Sequence, residues 1–158
     1  RNASSLDSLF VMPKRNMEAL RRKKERVRRL LVFKDHVDEL IERSRVRIEL
    51  KTPPHTIIIG YHELDKAFSE FSSLIRTKDI TPLEHAHKHF ETGEIENTIL
   101  EKIVDLFYLT RFATVEITKQ DGYSFIEYLD QLVLDKSKIS DKLKSIEQEI
   151  NENLDDLN

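Results

Sequence analysis

No proline occurs after Pro82, and toward the end of the chain Ile139, Leu143, Ile146, Ile150 and Leu154 recur at steps of four, three, four and four. Steps of three and four keep one apolar stripe on one side of an α-helix, whereas a strand requires steps of two. The same steps run near the start, through Leu20, Val27, Leu30, Leu31, Val37, Leu40, Ile41 and Ile48. With 3 Gly and 4 Pro in 158 residues and 35% of the side chains charged, the chain has few turn-formers and many solvated positions. That balance predicts an all-α protein.

The breaks in the pattern divide the chain. Residues 1–13, RNASSLDSLFVMP, lack periodicity and read as a flexible lead-in. A first helix is expected from Lys14 to Leu50 and is stopped by KTPPH, since proline lacks an N–H and the residue before it avoids the helical region. The run RVRIEL alternates polar and apolar residues, so a short strand pairing with TIII at 56–59 is the alternative there. A second helix follows with Tyr61, Leu64, Phe68, Phe71 and Ile75 on one face. TPLE then forms a capping box, with Thr81 at the N-cap, Pro82 at the first helical position and Glu84 three residues after the cap. This third helix is expected over about 82–90, with Gly93 marking its end. A fourth is expected over about 95–112, with Ile95, Ile99, Ile103, Leu106, Phe107 and Thr110 on one face. The fifth is capped by Thr118 and Asp121 and carries Phe125, Ile126, Leu129, Leu132 and Val133.

Charge is distributed unevenly. Residues 1–51 carry a net +7, residues 52–135 a net −8 and residues 136–158 a net −2. The basic run Arg21, Arg22, Lys23, Lys24, Arg26, Arg28 and Arg29 is opposite in sign to Glu147, Glu149, Glu152, Asp155 and Asp156. An antiparallel pairing would place the beginning of the chain beside its end. The expected architecture is a helical head, residues 52–135, on a two-helix coiled-coil-like stalk made by a basic helix, 14–51, and an acidic heptad helix, 136–158.

There is no cysteine, which excludes disulfides, thiolate catalysis and cysteine-ligated metal centres. No glycine-rich phosphate loop, nucleophile elbow or HExxH motif occurs, so no catalytic residue and no cofactor is assigned. Apolar runs as short as TIII do not span a bilayer. A chain that begins at Arg1 reads as a fragment or a processed form, with further segments outside it.

The two stretches YHELDKAFSEFSSLIRTKDITPLEHAHKHF and ILEKIVDLFYLTRFATVEITKQDGYSFIEYLDQL resemble domain-of-unknown-function module 4129. That module forms the C-terminal part of bacterial and archaeal membrane proteins, many of which also carry a transglutaminase-like domain. The matching features fall on Tyr61 and Leu64; on Thr81, Pro82 and Glu84; on His85 and Ala86; on Tyr108, Arg111 and Phe112; and on Thr118 and Asp121. The resemblance covers residues 57–134. His85 departs from it by standing where the family usually has an aromatic residue. The long first helix and the heptad tail lie outside it. It implies a small helical domain attached to transmembrane helices, usually on the cytoplasmic side, and supplies no established activity.

His85, His87 and His89 form the one histidine cluster. On a helix His85 and His89 share a face and could begin a zinc or nickel site, while His87 points away. Neither a base nor a further ligand accompanies them, so core or surface packing is the expected role and no metal is assigned. Arg111 suits the negative end of the fourth helix and could pair with Glu84 or Asp121. The Lys14–Arg29 run admits three uses: contact with anionic lipid beside a membrane span, contact with nucleic-acid phosphates, or a solvated stalk face. The expected function is a non-catalytic scaffold or interaction module on the cytoplasmic side of a membrane, binding a protein partner or a second copy through the stalk. The alternative is a soluble nucleic-acid-associated protein that uses the Lys14–Arg29 helix.

Overall fold

The computed structural model describes the backbone of residues 2–72 and 81–157 and the side chains of residues 17–72 and 81–156. Within those bounds the chain is all-α. Its helices are α1 (Asn2–Leu50), α2 (Pro53–Ser72), α3 (Pro82–His89), α4 (Asn97–Phe112), α5 (Lys119–Leu132) and α6 (Lys136–Leu157). The stretch expected as a lead-in is already helical from Asn2, because residues 2–12 hold no helix breaker before Pro13. The alternative strand pair does not form. RVRIEL completes α1, and TIII lies inside α2. Thr52 explains the sharp change of direction, since its Oγ1 accepts from His55 N–H at 3.3 Å and its carbonyl accepts from Thr56 N–H at 3.1 Å. It caps a helix whose first two residues are Pro53 and Pro54. Ile75, the last residue of the second expected stripe, lies outside the described residues.

The chain divides into two compact units, residues 1–31 with 135–158, and residues 32–134. This division cuts the expected stalk helix in the middle. Residues 32–50 of α1 belong with the helices that follow them, because Phe33, Val37, Leu40, Ile41 and Ile48 are all buried. Phe33 is 1% exposed, and its ring centroid lies 5.1 Å from those of Phe68 and Phe90 and 5.9 Å from that of Phe71. Phe71 and Phe90 stack at 4.2 Å. Helices α1, α2 and the end of α3 thus meet on one aromatic cluster, where tilted and offset rings add to the gain from area burial. Nearer the start of α2, Tyr61 stacks on Phe107 of α4 at 3.8 Å.

The connection between α3 and α4 is held without a helix. Ile95 and Val133 form an antiparallel bridge, with Glu96 N–H donating to Leu132 O and Leu134 N–H donating to Glu94 O, each at 2.9 Å. The buried Glu94 carboxylate accepts from Glu91 N–H at 2.8 Å. Helix α3 ends with Phe90 as its C-cap, so Gly93 serves the turn beyond it, at φ 87°.

Gly60 lets α2 lie against α5. A Cβ there would sit 2.5 Å from Cε2 and 2.8 Å from Cζ of Phe125, a ring with no exposed surface. A buried ring in a packed core cannot withdraw without displacing its neighbours. Gly60→Ala is therefore expected to destabilise the fold by about 1–3 kcal/mol despite alanine's better helix propensity. Thermal denaturation followed by circular dichroism measures this, and an unchanged or raised Tm would contradict the packing.

Candidate functional site

The capping box read from TPLE is present. Thr81 Oγ1 accepts from Glu84 N–H at 3.2 Å, and Glu84 Oε2 accepts from Thr81 N–H at 3.3 Å. Thr118 and Asp121 repeat it at α5, at 3.2 and 2.8 Å. Both carboxylates are thereby committed to their own helix starts. Arg111 lies exposed on the last turn of α4, and neither expected pairing of it, with Glu84 or Asp121, forms.

His85 is buried, with Nε2 3.0 Å from Ser72 Oγ. A serine and a histidine at that distance resemble an activated nucleophile. Ser72 Oγ, however, also lies 3.1 Å from Ser69 O and 3.3 Å from Phe68 O. A hydroxyl that gives its one proton to a helix carbonyl accepts from Nε2–H instead, and so joins α2 to α3. The His85 ring also meets Phe68 edge-on at 5.9 Å and His89 at 4.6 Å. Burial, helped by Lys88, holds the His89 pKa below its ordinary value. His87 is exposed, and among the described residues no group of three or more His, Cys, Asp or Glu side chains could hold a metal ion.

A polar network ties α1 to α2. Arg43 Nη2 donates to Glu63 Oε2 at 2.9 Å, and Arg47 Nη2 donates to Glu63 Oε1. An open groove of about 310 Å³ runs beside it, lined by His36, Glu39, Lys66 and Glu70. Every acid in this groove has a basic neighbour, so it has no single charge to offer a ligand. A second network joins the end of α1 to the start of α5, where Glu49 accepts from Tyr123 Oη at 2.7 Å and from Lys119 Nζ at 2.9 Å. The Tyr123 and Lys119 hydrogen bonds hold the Glu49 carboxyl below its usual range.

The feature that sequence reading passed over lies at this end of the 32–134 unit. Glu49 links α1 to α5, and Gly122 of α5 lies against Ile48 of α1 and Pro53 of α2. The α4–α5 connection, residues 113–118, returns to the same end. Nine large hydrophobic side chains are exposed among the described residues, and seven are found here. Val46 and Leu50 lie on the last turns of α1, Tyr108, Leu109 and Phe112 on the last turns of α4, Val115 in the connection and Tyr123 on α5. Leu50 is 74% exposed and Phe112 71%. Tyr108 and Phe112 stack on each other at 5.8 Å, and both are exposed. Scattered exposed apolar residues are ordinary on a protein surface, whereas these are gathered at one end of the unit.

The basic run Arg21–Arg29 of α1 lies in the other unit. Lys24 Nζ is 3.8 Å from Glu147 Oε2, and Ala19, Leu20 and Lys23 line a groove of about 430 Å³ with Glu149, Glu152 and Asn153. Arg21, Arg22, Lys23, Arg28 and Arg29 are exposed. Among the described residues no helix is long and apolar enough to cross a membrane.

Fold and surfaces together define an all-α protein with an exposed apolar end and a basic helix. No known protein family, curated protein or solved structure matches the chain.

Burial of Glu63 favours its neutral form, but the hydrogen bonds from Arg47 and Arg43 outweigh this and hold its pKa below the ordinary 4.5. A carboxylate with a lowered folded-state pKa contributes stability in full above its unfolded pKa and loses that contribution as pH falls through the folded value. Glu63→Gln should therefore cost about 1 kcal/mol at pH 7, with the partial exposure of all three side chains limiting the effect. The difference from wild type should shrink steadily below pH 4.5. A deficit in urea melts that is independent of pH would rule out the ionic origin.

Proposed function

We propose that this chain is a non-catalytic helical interaction module of a membrane protein, placed on the cytoplasmic side. In this reading the 32–134 unit is a head that docks a protein partner or a second copy through its apolar end. The pair formed by the first part of α1 and α6 is an antiparallel stalk. The observation that carries the reading is the gathering of seven of the nine exposed large hydrophobics at one end of the head. Such surface is costly to leave in water and is the usual mark of a docking site. Tyr and Phe are also the side chains that anchor interfaces most often.

The opposite directions of the Lys24–Glu147 and Lys23–Glu149 neighbours support the antiparallel stalk. Membrane attachment rests on the resemblance to module 4129. Within that resemblance Tyr108, Arg111 and Phe112, its signature at the end of the fourth helix, all fall on the exposed end, where their role would be contact rather than packing.

A photo-activatable phenylalanine analogue at position 112, introduced into the protein in its own cells, tests the docking site. Illumination should give a defined adduct from position 112 and none from Gln131, an exposed position on the last turn of α5. No adduct at 112, together with unchanged sedimentation of a Leu50→Asp/Phe112→Asp variant, would defeat the reading.

A further inference from the structure

The connection between α4 and α5 is composed like a strand but has no strand beside it. Turns are usually built from Gly, Pro, Asn, Asp and Ser, which permit or preset sharp backbone angles. Residues 113–118, ATVEIT, contain none of these, and Thr114, Val115, Ile117 and Thr118 are β-branched. Side chains of that shape favour the extended backbone of a strand. Both ends of the segment are extended, Ala113 at φ −85°, ψ 158° and Thr118 at φ −90°, ψ 167°. Between them the chain bends at Val115. Ala113 N–H closes the last turn of α4 on Leu109 O, and Thr118 starts α5, its N–H donating to Asp121 and its carbonyl accepting from Gly122 N–H. Thr114, Val115, Glu116 and Ile117 make no hydrogen bond with any described residue. The first three of these are exposed and Ile117 is half-buried, so one side chain rests on the unit while the rest of the segment faces solvent. A β-branched run with free N–H and C=O groups is a template on which another strand can form. It follows directly on the exposed Phe112 of the apolar end.

We infer that residues 113–118 are an acceptor strand, on which an extended segment of a separate protein pairs through backbone hydrogen bonds. This inference rests on the docking site proposed above and names the form its partner takes. Pairing straightens the chain at Val115. In strand addition the backbone bonds supply affinity and the alternate side chains supply choice. Once straight, the segment carries Val115 and Ile117 on one face and Thr114 and Glu116 on the other. The matching strand therefore alternates apolar residues, beside Val115 and Ile117, with a lysine or arginine opposite Glu116. A second copy of this chain fits less well. Antiparallel self-pairing that matches Val115 with Ile117 sets Glu116 against Glu116, and like charges directly opposite each other destabilise a strand pair.

The test isolates the adduct formed from the photo-activatable analogue at position 112 and compares its amide hydrogen exchange, residue by residue, with that of the free full chain. Successive N–H groups of a strand point to opposite edges, so pairing along one edge engages every second one. Exchange is expected to slow by about tenfold or more at Thr114 and Glu116 or at Val115 and Ile117, with the other two amides left fast. Contact through side chains alone would not give that alternation. A Val115→Pro/Glu116→Pro variant loses one N–H from each edge and should give no adduct while keeping its helix content by circular dichroism. Val115→Ile/Glu116→Gln keeps both N–H groups and should still give it. An adduct whose four amides exchange as in the free chain, or a proline variant that is captured as well as wild type, would overturn the strand and leave the docking site standing. An adduct of two copies of this chain would overturn the choice of a separate protein. Absence of any adduct at position 112 would defeat the docking site itself, and this inference with it.

Discussion

The packing of Phe33 against Phe68, Phe71 and Phe90 determines how the longest helix is used. A 49-residue helix has far more length than a small core can cover. Only part of it can join the core of the 32–134 unit, and Phe33 lies at the start of that part. From Phe33 onward the stripe is buried among α2 and its successors. Burying a phenylalanine contributes about 1.5–3 kcal/mol, enough to decide which unit a segment joins when net stability is only several times larger. The close approaches at Gly60 and Gly122 then let α5 settle against α2 and α1 without a side chain between them.

Around this core, polar groups act at helix ends. Thr52, Thr81 and Thr118 each start a helix with a side-chain oxygen, and Glu94 holds the connection that precedes α4. The arginines of α1 bind Glu63 from one turn apart, which fixes the rotation of α2 against α1. With the carboxylates at these positions engaged locally, the feature that the surface of the 32–134 unit retains is its apolar end.

Much of this was legible in the sequence where the cause is local. The two capping boxes could be read because a threonine and an acid three residues apart satisfy the same backbone groups wherever they occur. Of the heptad stripe of α6, Ile139 and Ile146 are buried, Leu143 and Ile150 half-buried and Leu154 exposed, so the period gives the face but not how far along it is covered. What could not be read was pairing. Periodicity identifies the face of α1 that is buried but not what covers it, so the change of unit near residue 32 was invisible. A summed tail charge of −2 likewise hides a basic first half and an acidic second half of α6, and the Lys24–Glu147 contact shows that the acidic half meets the basic run. Tyr108 and Phe112 sit in a helix with a regular apolar stripe, and sequence alone does not tell a packed ring from one at an uncovered end.

The central claim is that this all-α chain works beside a membrane by contact rather than by catalysis. Its most direct test is fractionation of the native protein from its own cells, followed by an alkaline wash of the membranes. The account predicts recovery with the membranes and retention in the washed pellet. Recovery wholly in the soluble fraction would contradict it.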